Sequence, residues 1–198
     1  GGLVGEVVQV WRPRELNTHE TEWGFSCMGY EISGALGIKM ANPNKEVISF
    51  VGDGSYLLNN TDIYSSVITK NKLIIIVCDN GGFAVINRLQ LFKGGNEYNN
   101  LLKSSNTPGL VDVDFAKHAE SMGAKSEHVN SISDLEEAFK RAKKSDVTYV
   151  ISIKTHAYQW LEGSAFWDSP TLEIPTTDEN KEALKLYKEG KNKQRQGV

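Results

Sequence analysis

The chain has 198 residues, of which 39% are hydrophobic, a balance that excludes a disordered tail or a collagen-like fibre and supplies one sizeable core. Its 22 Lys and Arg against 25 Asp and Glu leave a net charge of −3, so there is no basic excess to displace counterions, and nucleic acid is excluded as the main partner. Two cysteines are too few for a disulfide framework and point to a reducing compartment, and no apolar run approaches the roughly 20 residues that span a bilayer.

Taken in chain order, Gly1-Gly2-Leu3 offers neither the basic leader nor the apolar stretch of a secretory signal, and a cytosolic location is expected. The missing opening Met is expected of a cut or processed fragment. Residues 29–41 read as a helix, weakened by Gly34 and Gly37 unless another element packs closely there. Residues 46–51 and 72–78 are apolar, β-branched runs of strand length, the second apolar almost throughout, as in strands buried on both faces. Between them, Ile63, Tyr64, Val67 and Ile68 fall at helical spacing within 59–70, completing a strand–helix–strand unit. Residues 93–109, rich in Gly, Asn and Ser, are expected to form a long functional lid. Phe115, Ala116, Ala119 and Met122 form one helical stripe within 112–122. Ser133-Asp134-Leu135-Glu136 reads as a capping box opening a helix over Leu135, Ala138, Phe139 and Ala142, and 147–153 is a third strong strand. Residues 157–175, with Tyr158, Trp160, Phe166 and Trp167, suit a strap packed on the domain or on a partner subunit. Thr176-Thr177-Asp178-Glu179 caps a terminal helix ending near Gly190, its acids early and its lysines late.

This alternation predicts a doubly wound α/β domain over 1–175, its mostly parallel sheet covered by helices on both faces, followed by a C-terminal helix and tail over 176–198. Ligands of open α/β sheets bind beyond the carboxyl ends of the strands. Two such ends carry Gly52-Asp53-Gly54-Ser55 and Asp79-Asn80-Gly81-Gly82. Either segment alone is equally an ordinary turn. On neighbouring strands, Asp53 and Asn80 would emerge side by side as hard oxygen donors suited to Mg²⁺, with phosphate, water and a loop carbonyl completing the shell. Gly52 and Gly54 let backbone amides approach a phosphate, and Ser55 offers its hydroxyl and an amide at the start of the next helix.

With Asn80 following Gly52-Asp53-Gly54, the pattern resembles the cofactor motif of thiamine-diphosphate enzymes. The resemblance implies the diphosphate-binding domain of that family, with Mg²⁺ held by Asp53, Asn80 and the carbonyl of Gly82. Asp79 stands where many members have an Asn. Ser26-Cys27-Met28-Gly29-Tyr30 resembles the segment that holds the aminopyrimidine, which implies Ser26 and Met28 as cofactor contacts, Met28 as the apolar wedge under the thiazolium ring. Tyr98-Asn99-Asn100-Leu101 is similar to a loop of related decarboxylases. Residues 23–32, 51–57 and 83–90 resemble the branch that hydrolyses trihydroxycyclohexane-1,2-dione in inositol breakdown. That likeness implies addition to one carbonyl, hydration of its neighbour, and C–C cleavage to a deoxy sugar acid.

The family also needs a Glu that activates the pyrimidine, carried by a separate pyrimidine-binding domain, and nothing here matches that domain. A homodimer or homotetramer, a catalytic Glu outside this chain and no turnover by this chain alone are therefore implied. A 2-oxo acid decarboxylase or acetolactate synthase shares every cofactor residue and stays open. So does a non-enzymatic, flavodoxin-like phosphate-binding regulatory module. Among the remaining candidates, His19 and His156 stay open as active-site groups, whereas His118 and His128 are expected to be structural. Cys27 is expected to be a small buried hydrophobe and Cys78 to lie in the core. Lys185 to Arg195 are expected on a solvated helix face.

Overall fold

Four strands form one wholly parallel sheet, β1 (Ile48–Gly52), β2 (Ile74–Asp79), β3 (Lys125–Val129) and β4 (Tyr149–Lys154), in the order β1-β2-β4-β3. The computed structural model describes residues 2–22, 24–109, 111–161 and 171–194. Trp23, Phe166, Trp167 and Arg195, singled out above, lie outside the described residues. The helices are α1 (Gly2–Val10), α2 (Tyr30–Ala41), α3 (Asp53–Leu58), α4 (Thr61–Ile68), α5 (Ala84–Phe92), α6 (Phe115–Ser121), α7 (Ile132–Lys144) and α8 (Asp178–Lys193).

The sheet is buried on both sides because successive residues of a strand face opposite ways. Val51, Ile75, Val77 and Val150 join Ile32, Ala35 and Leu36 of α2, Ile63 of α4 and Phe115 and Ala119 of α6 in one core cluster. Ile74, Val129, Tyr149 and Ile151 meet Ala138 and Ala142 of α7 in a second. The expected doubly wound architecture with helices on both faces is the one observed.

One cap and one helix end differ from the sequence reading. Helix α7 is capped by Ser131, whose side chain accepts from Asp134 N, not by Ser133. Both serines precede an acidic residue by three positions, and the earlier one puts Ile132 inside the helix. Helix α8 is capped by Thr177, which accepts from Asn180 N, and runs on past Gly190 to Lys193. Helix α8 is fastened to the turn after α5, where Asn180 Nδ2 donates to the carbonyls of Lys93 and Gly94 at 3.2 and 2.8 Å. The stretch 93–109 is not a detached lid. Leu101 is buried and forms an antiparallel bridge with Gly82, while Phe83 N donates to Asn100 O and Leu102 N to Gly81 O. The segment buttresses the turn that follows β2.

Candidate active site

Gly52 lies opposite Cys78 in the β1–β2 register, so the chain leaves the two strands side by side. Asp53, the first residue of α3, and Asn80, the first after β2, both line a cleft of about 210 Å³ at the carboxyl end of the sheet. Its floor also carries Met28, Gly52, Gly54, Ser55 and Gly82. Of the residues named from the sequence, Ser26 does not line the cleft; it is exposed in a left-handed conformation, φ 51°.

Asp53 is 5% exposed, and its Oδ2 accepts from Gly82 N at 2.6 Å. No Lys or Arg among the described residues pairs with it, and burial, reinforced by the neighbouring Asp79 carboxylate, pushes its pKa up to about 6. Asp79 is differently placed. Its Oδ1 accepts from Gly81 N at 3.0 Å and its Oδ2 pairs with Lys154 Nζ at 2.6 Å, so its charge is compensated within the protein. Burial also raises the Cys78 thiol to about 11, which keeps it protonated and unreactive at the cleft edge.

The end of the Asn80 side-chain amide lies 2.9 Å from the Gly82 carbonyl oxygen and 3.3 Å from Asp53 Oδ1. Oxygens facing one another with no proton between them repel, and turning the amide over would replace both contacts by N–H donation. Without a metal the nitrogen therefore faces these oxygens, and a divalent cation would favour the amide oxygen in its place. Oxygens about 2.9 Å apart are adjacent corners of an octahedron whose metal–oxygen distance is about 2.0–2.1 Å. The donor set of one carboxylate, one amide oxygen and one carbonyl therefore fits Mg²⁺. No cluster of three His, Cys, Asp or Glu that could hold a metal occurs among the described residues, so the single uncompensated carboxylate is the relevant feature.

Two glycines lie at close approaches, and at Gly82 the neighbour is backbone. A Cβ on Gly54 would lie 2.7 Å from Phe83 and 3.3 Å from the Met28 methyl, so Met28 and Phe83 close over the β1 end. A Cβ on Gly82, φ 142°, would collide with the Asn100 carbonyl oxygen.

The other histidines separate clearly. His156 lines the cleft and accepts from Tyr158 N through Nδ1 at 3.1 Å. His19 instead borders a second cavity of about 140 Å³, with Trp11, Tyr30 and Phe50 among its walls. His118 Nδ1 bonds the buried Tyr56 hydroxyl at 2.9 Å, and His128 bonds Asp114 at 2.7 Å; both are structural. Cys27 is exposed rather than buried, because the Glu22 carboxylate gathers the amides of Phe25 and Cys27 and turns the loop outward.

Glu6, Arg88 and Thr155 also line the cleft, and none of them had a role anticipated from the sequence. Glu6 comes from α1, Arg88 from α5, and Thr155 follows β4, its amide donating to Asp79 O at 2.7 Å. Helix α5 lacks a side-chain cap bond that would have announced it, and α1 buries no residue.

The family described as "Thiamine pyrophosphate enzyme, C-terminal TPP binding domain" matches residues 1–153. The chain is 37% identical over 185 residues to a 3D-(3,5/4)-trihydroxycyclohexane-1,2-dione hydrolase of Shouchella clausii, covering 92% of this chain and 29% of that protein. A Clostridium tetani protein of the same name is 38% identical, over 84% of this chain and 27% of its own. The chain thus spans less than a third of the length of these curated relatives. Among solved structures, a Rhodococcus jostii thiamine diphosphate-dependent 4-hydroxybenzoylformate decarboxylase superposes with a TM-score of 0.58 at 28% identity, over 65% of this chain and 23% of that one.

Proposed function

Since this chain belongs to the thiamine pyrophosphate enzymes, as their C-terminal TPP-binding domain, we propose that it is the diphosphate-binding part of a hydrolase that opens the ring of trihydroxycyclohexane-1,2-dione. The observation that carries the metal and cofactor assignment is the convergence of Asp53, Asn80 and the Gly82 carbonyl at the adjoining ends of β1 and β2. The substrate assignment rests on the relatives that bear that hydrolase name.

In this reading Asp53, Asn80 and Gly82 O hold Mg²⁺, which grips the diphosphate. The amides of Gly52, Gly54 and Ser55 lie along it, and the Ser55 hydroxyl, 2% exposed as a residue, donates to it. Met28, which lines the cleft, would pack under the heterocycle, and backbone next to it would meet the pyrimidine. Bound thiamine diphosphate supplies a carbon nucleophile that also accepts the electron pair released when the C–C bond breaks. The chain's own contribution is to fix the metal and exclude water, while the activating Glu comes from a pyrimidine-binding domain of the same protein or of a second subunit. The working unit is a homodimer or homotetramer in the cytoplasm, and residues 1–198 alone do not turn over.

The decarboxylase neighbour favours one rival, a 2-oxo acid as substrate. Full-length protein containing this chain, loaded with thiamine diphosphate and Mg²⁺, is to be offered the cyclic diketone and pyruvate separately. Formation of a ring-opened acid from the diketone is expected; carbon dioxide release from pyruvate with an inert diketone would overturn the reading.

A further inference from the structure

Arg88 is the one Lys or Arg among the described residues of the cleft. Its guanidinium carbon lies 4.7 Å from the centroid of the Trp160 ring, and its Nη1 lies 3.8 Å from Glu6 Oε1, beyond hydrogen-bond length. Glu6 is itself pinned, since its Oε2 accepts from Leu161 N at 2.8 Å. The guanidinium is thus held by stacking on one side and by a fixed charge on another. No hydrogen bond to a described residue consumes its N–H groups. A planar donor fork that is positioned, 26% exposed and unspent is what ligand oxygens require.

The residues that hold Arg88 belong to α1 and to the strap after β4, whereas the metal donors sit at the ends of β1 and β2. His156, two residues past the end of β4, lines the same cleft. Because its Nδ1 accepts the Tyr158 amide proton, the other ring nitrogen, Nε2, carries the proton as a second donor. This part of the cleft therefore offers donors to a ligand with many oxygens.

Resting on the ring-opening reading above, we infer that Arg88 is the specificity-determining residue for substrate. Its fork takes two neighbouring oxygens of a polyhydroxylated dicarbonyl ring, and His156 Nε2 donates to a third. These contacts exist before and during reaction alike, so they act on substrate affinity more than on turnover.

The test uses the full-length protein with thiamine diphosphate and Mg²⁺, as wild type, Arg88→Met and Arg88→Lys. Loss of a charge-assisted contact is expected to raise KM for the diketone about 10- to 100-fold in Arg88→Met, with kcat changed less than about threefold. Arg88→Lys keeps the charge and loses the fork, and falls between. His156→Leu is expected to raise KM about 3- to 10-fold, and His156→Gln, which keeps an N–H donor, less. Calorimetric affinity for thiamine diphosphate is expected to stay at the wild-type value in all four variants. An unchanged KM in Arg88→Met overturns the inference; if that variant does not fold, an unchanged KM in Arg88→Lys does so. A lowered cofactor affinity with unchanged KM assigns Arg88 to the diphosphate and also overturns it. Wild-type protein inert toward the diketone overturns the ring-opening reading itself, a result distinct from the others.

Discussion

Asp53 and Gly82, far apart in sequence, are joined by a 2.6 Å bond from the Gly82 amide to the Asp53 carboxylate, and the Gly82 carbonyl faces Asn80. One glycine therefore locks the position of the carboxylate with its N–H and presents its own oxygen to the same point. The price is borne electrostatically: Asp53 is buried beside Asp79, and only Asp79 has a lysine.

Replacing Asp53 by Asn keeps an acceptor for the Gly82 amide and removes the uncompensated charge. A carboxyl pushed from 3.8 to about 6 is less stable ionised in the folded chain than in the unfolded one. Asp53→Asn is expected to stabilise the metal-free protein by about 2 kcal/mol while abolishing Mg²⁺-dependent cofactor binding. Urea unfolding without metal, paired with calorimetry in Mg²⁺, checks both halves; a destabilised and still metal-responsive variant would refute the assignment.

The two glycines after Asn80 predict different outcomes. Gly81, φ 82°, has open space where a Cβ would stand, so Gly81→Ala is expected to cost about 1 kcal/mol of strain. Gly82→Ala adds a collision with the Asn100 carbonyl and is expected to cost about 2–4 kcal/mol. It should also lower cofactor affinity at least about tenfold, because the displaced oxygen is one of the three proposed metal donors. Equal melting temperatures for the two variants would contradict the close packing of the loop on this turn.

Three of the four strands of the sheet, and the meeting of Asp53 with Asn80, were legible in the sequence because both depend on local pattern. The apolar runs 46–51, 72–78 and 147–153 shift by only one or two residues to Ile48–Gly52, Ile74–Asp79 and Tyr149–Lys154. Asp53 and Asn80 follow from strand ends, which alternation reveals. What stayed hidden depends on distant pairing. Helix α5 shows no one-sided stripe, since Ile86, Leu91 and Phe92 are exposed, and so Arg88 had no predicted place. The bridge between Gly82 and Leu101 is likewise a tertiary choice, invisible in a run of Gly, Asn and Ser.

Away from the cleft, Glu127 joins β3 to α7 and β4. Arg141 donates Nε to Oε1 at 3.0 Å and Nη2 to Oε2 at 2.6 Å, and the Tyr149 hydroxyl donates to Oε1 at 2.5 Å. The Arg141 guanidinium, opposed by some burial and helped by Tyr149, holds the carboxyl below its ordinary 4.5. A depressed acid contributes stability that is complete above its unfolded value and lost as pH falls through the folded one. Glu127→Gln is therefore expected to cost about 1 kcal/mol at pH 7, a modest figure because the pair is largely solvated. The difference from wild type should shrink as pH falls below about 4.5. Denaturant titrations across that range test it, and a gap that persists in acid would place the effect in packing rather than charge.

Asn80 supplies a last test of whether a cation belongs between these oxygens. Asn80→Asp puts a second carboxylate about where the end of the amide now stands, 3.3 Å from Asp53 Oδ1, next in sequence to Asp79. Without metal, like charges at that distance repel, and the melting temperature is expected to fall by several degrees. Added Mg²⁺ then meets two carboxylates rather than one and should raise it by more than it raises the wild type. Asn80→Ala removes a donor without adding charge, so it should keep its metal-free melting temperature within about a degree or two and lose most of the Mg²⁺ response. The opposite signs of the two variants in the absence and presence of Mg²⁺ distinguish a cation site from a hydrogen-bonded turn, for which both substitutions would only destabilise and Mg²⁺ would change neither.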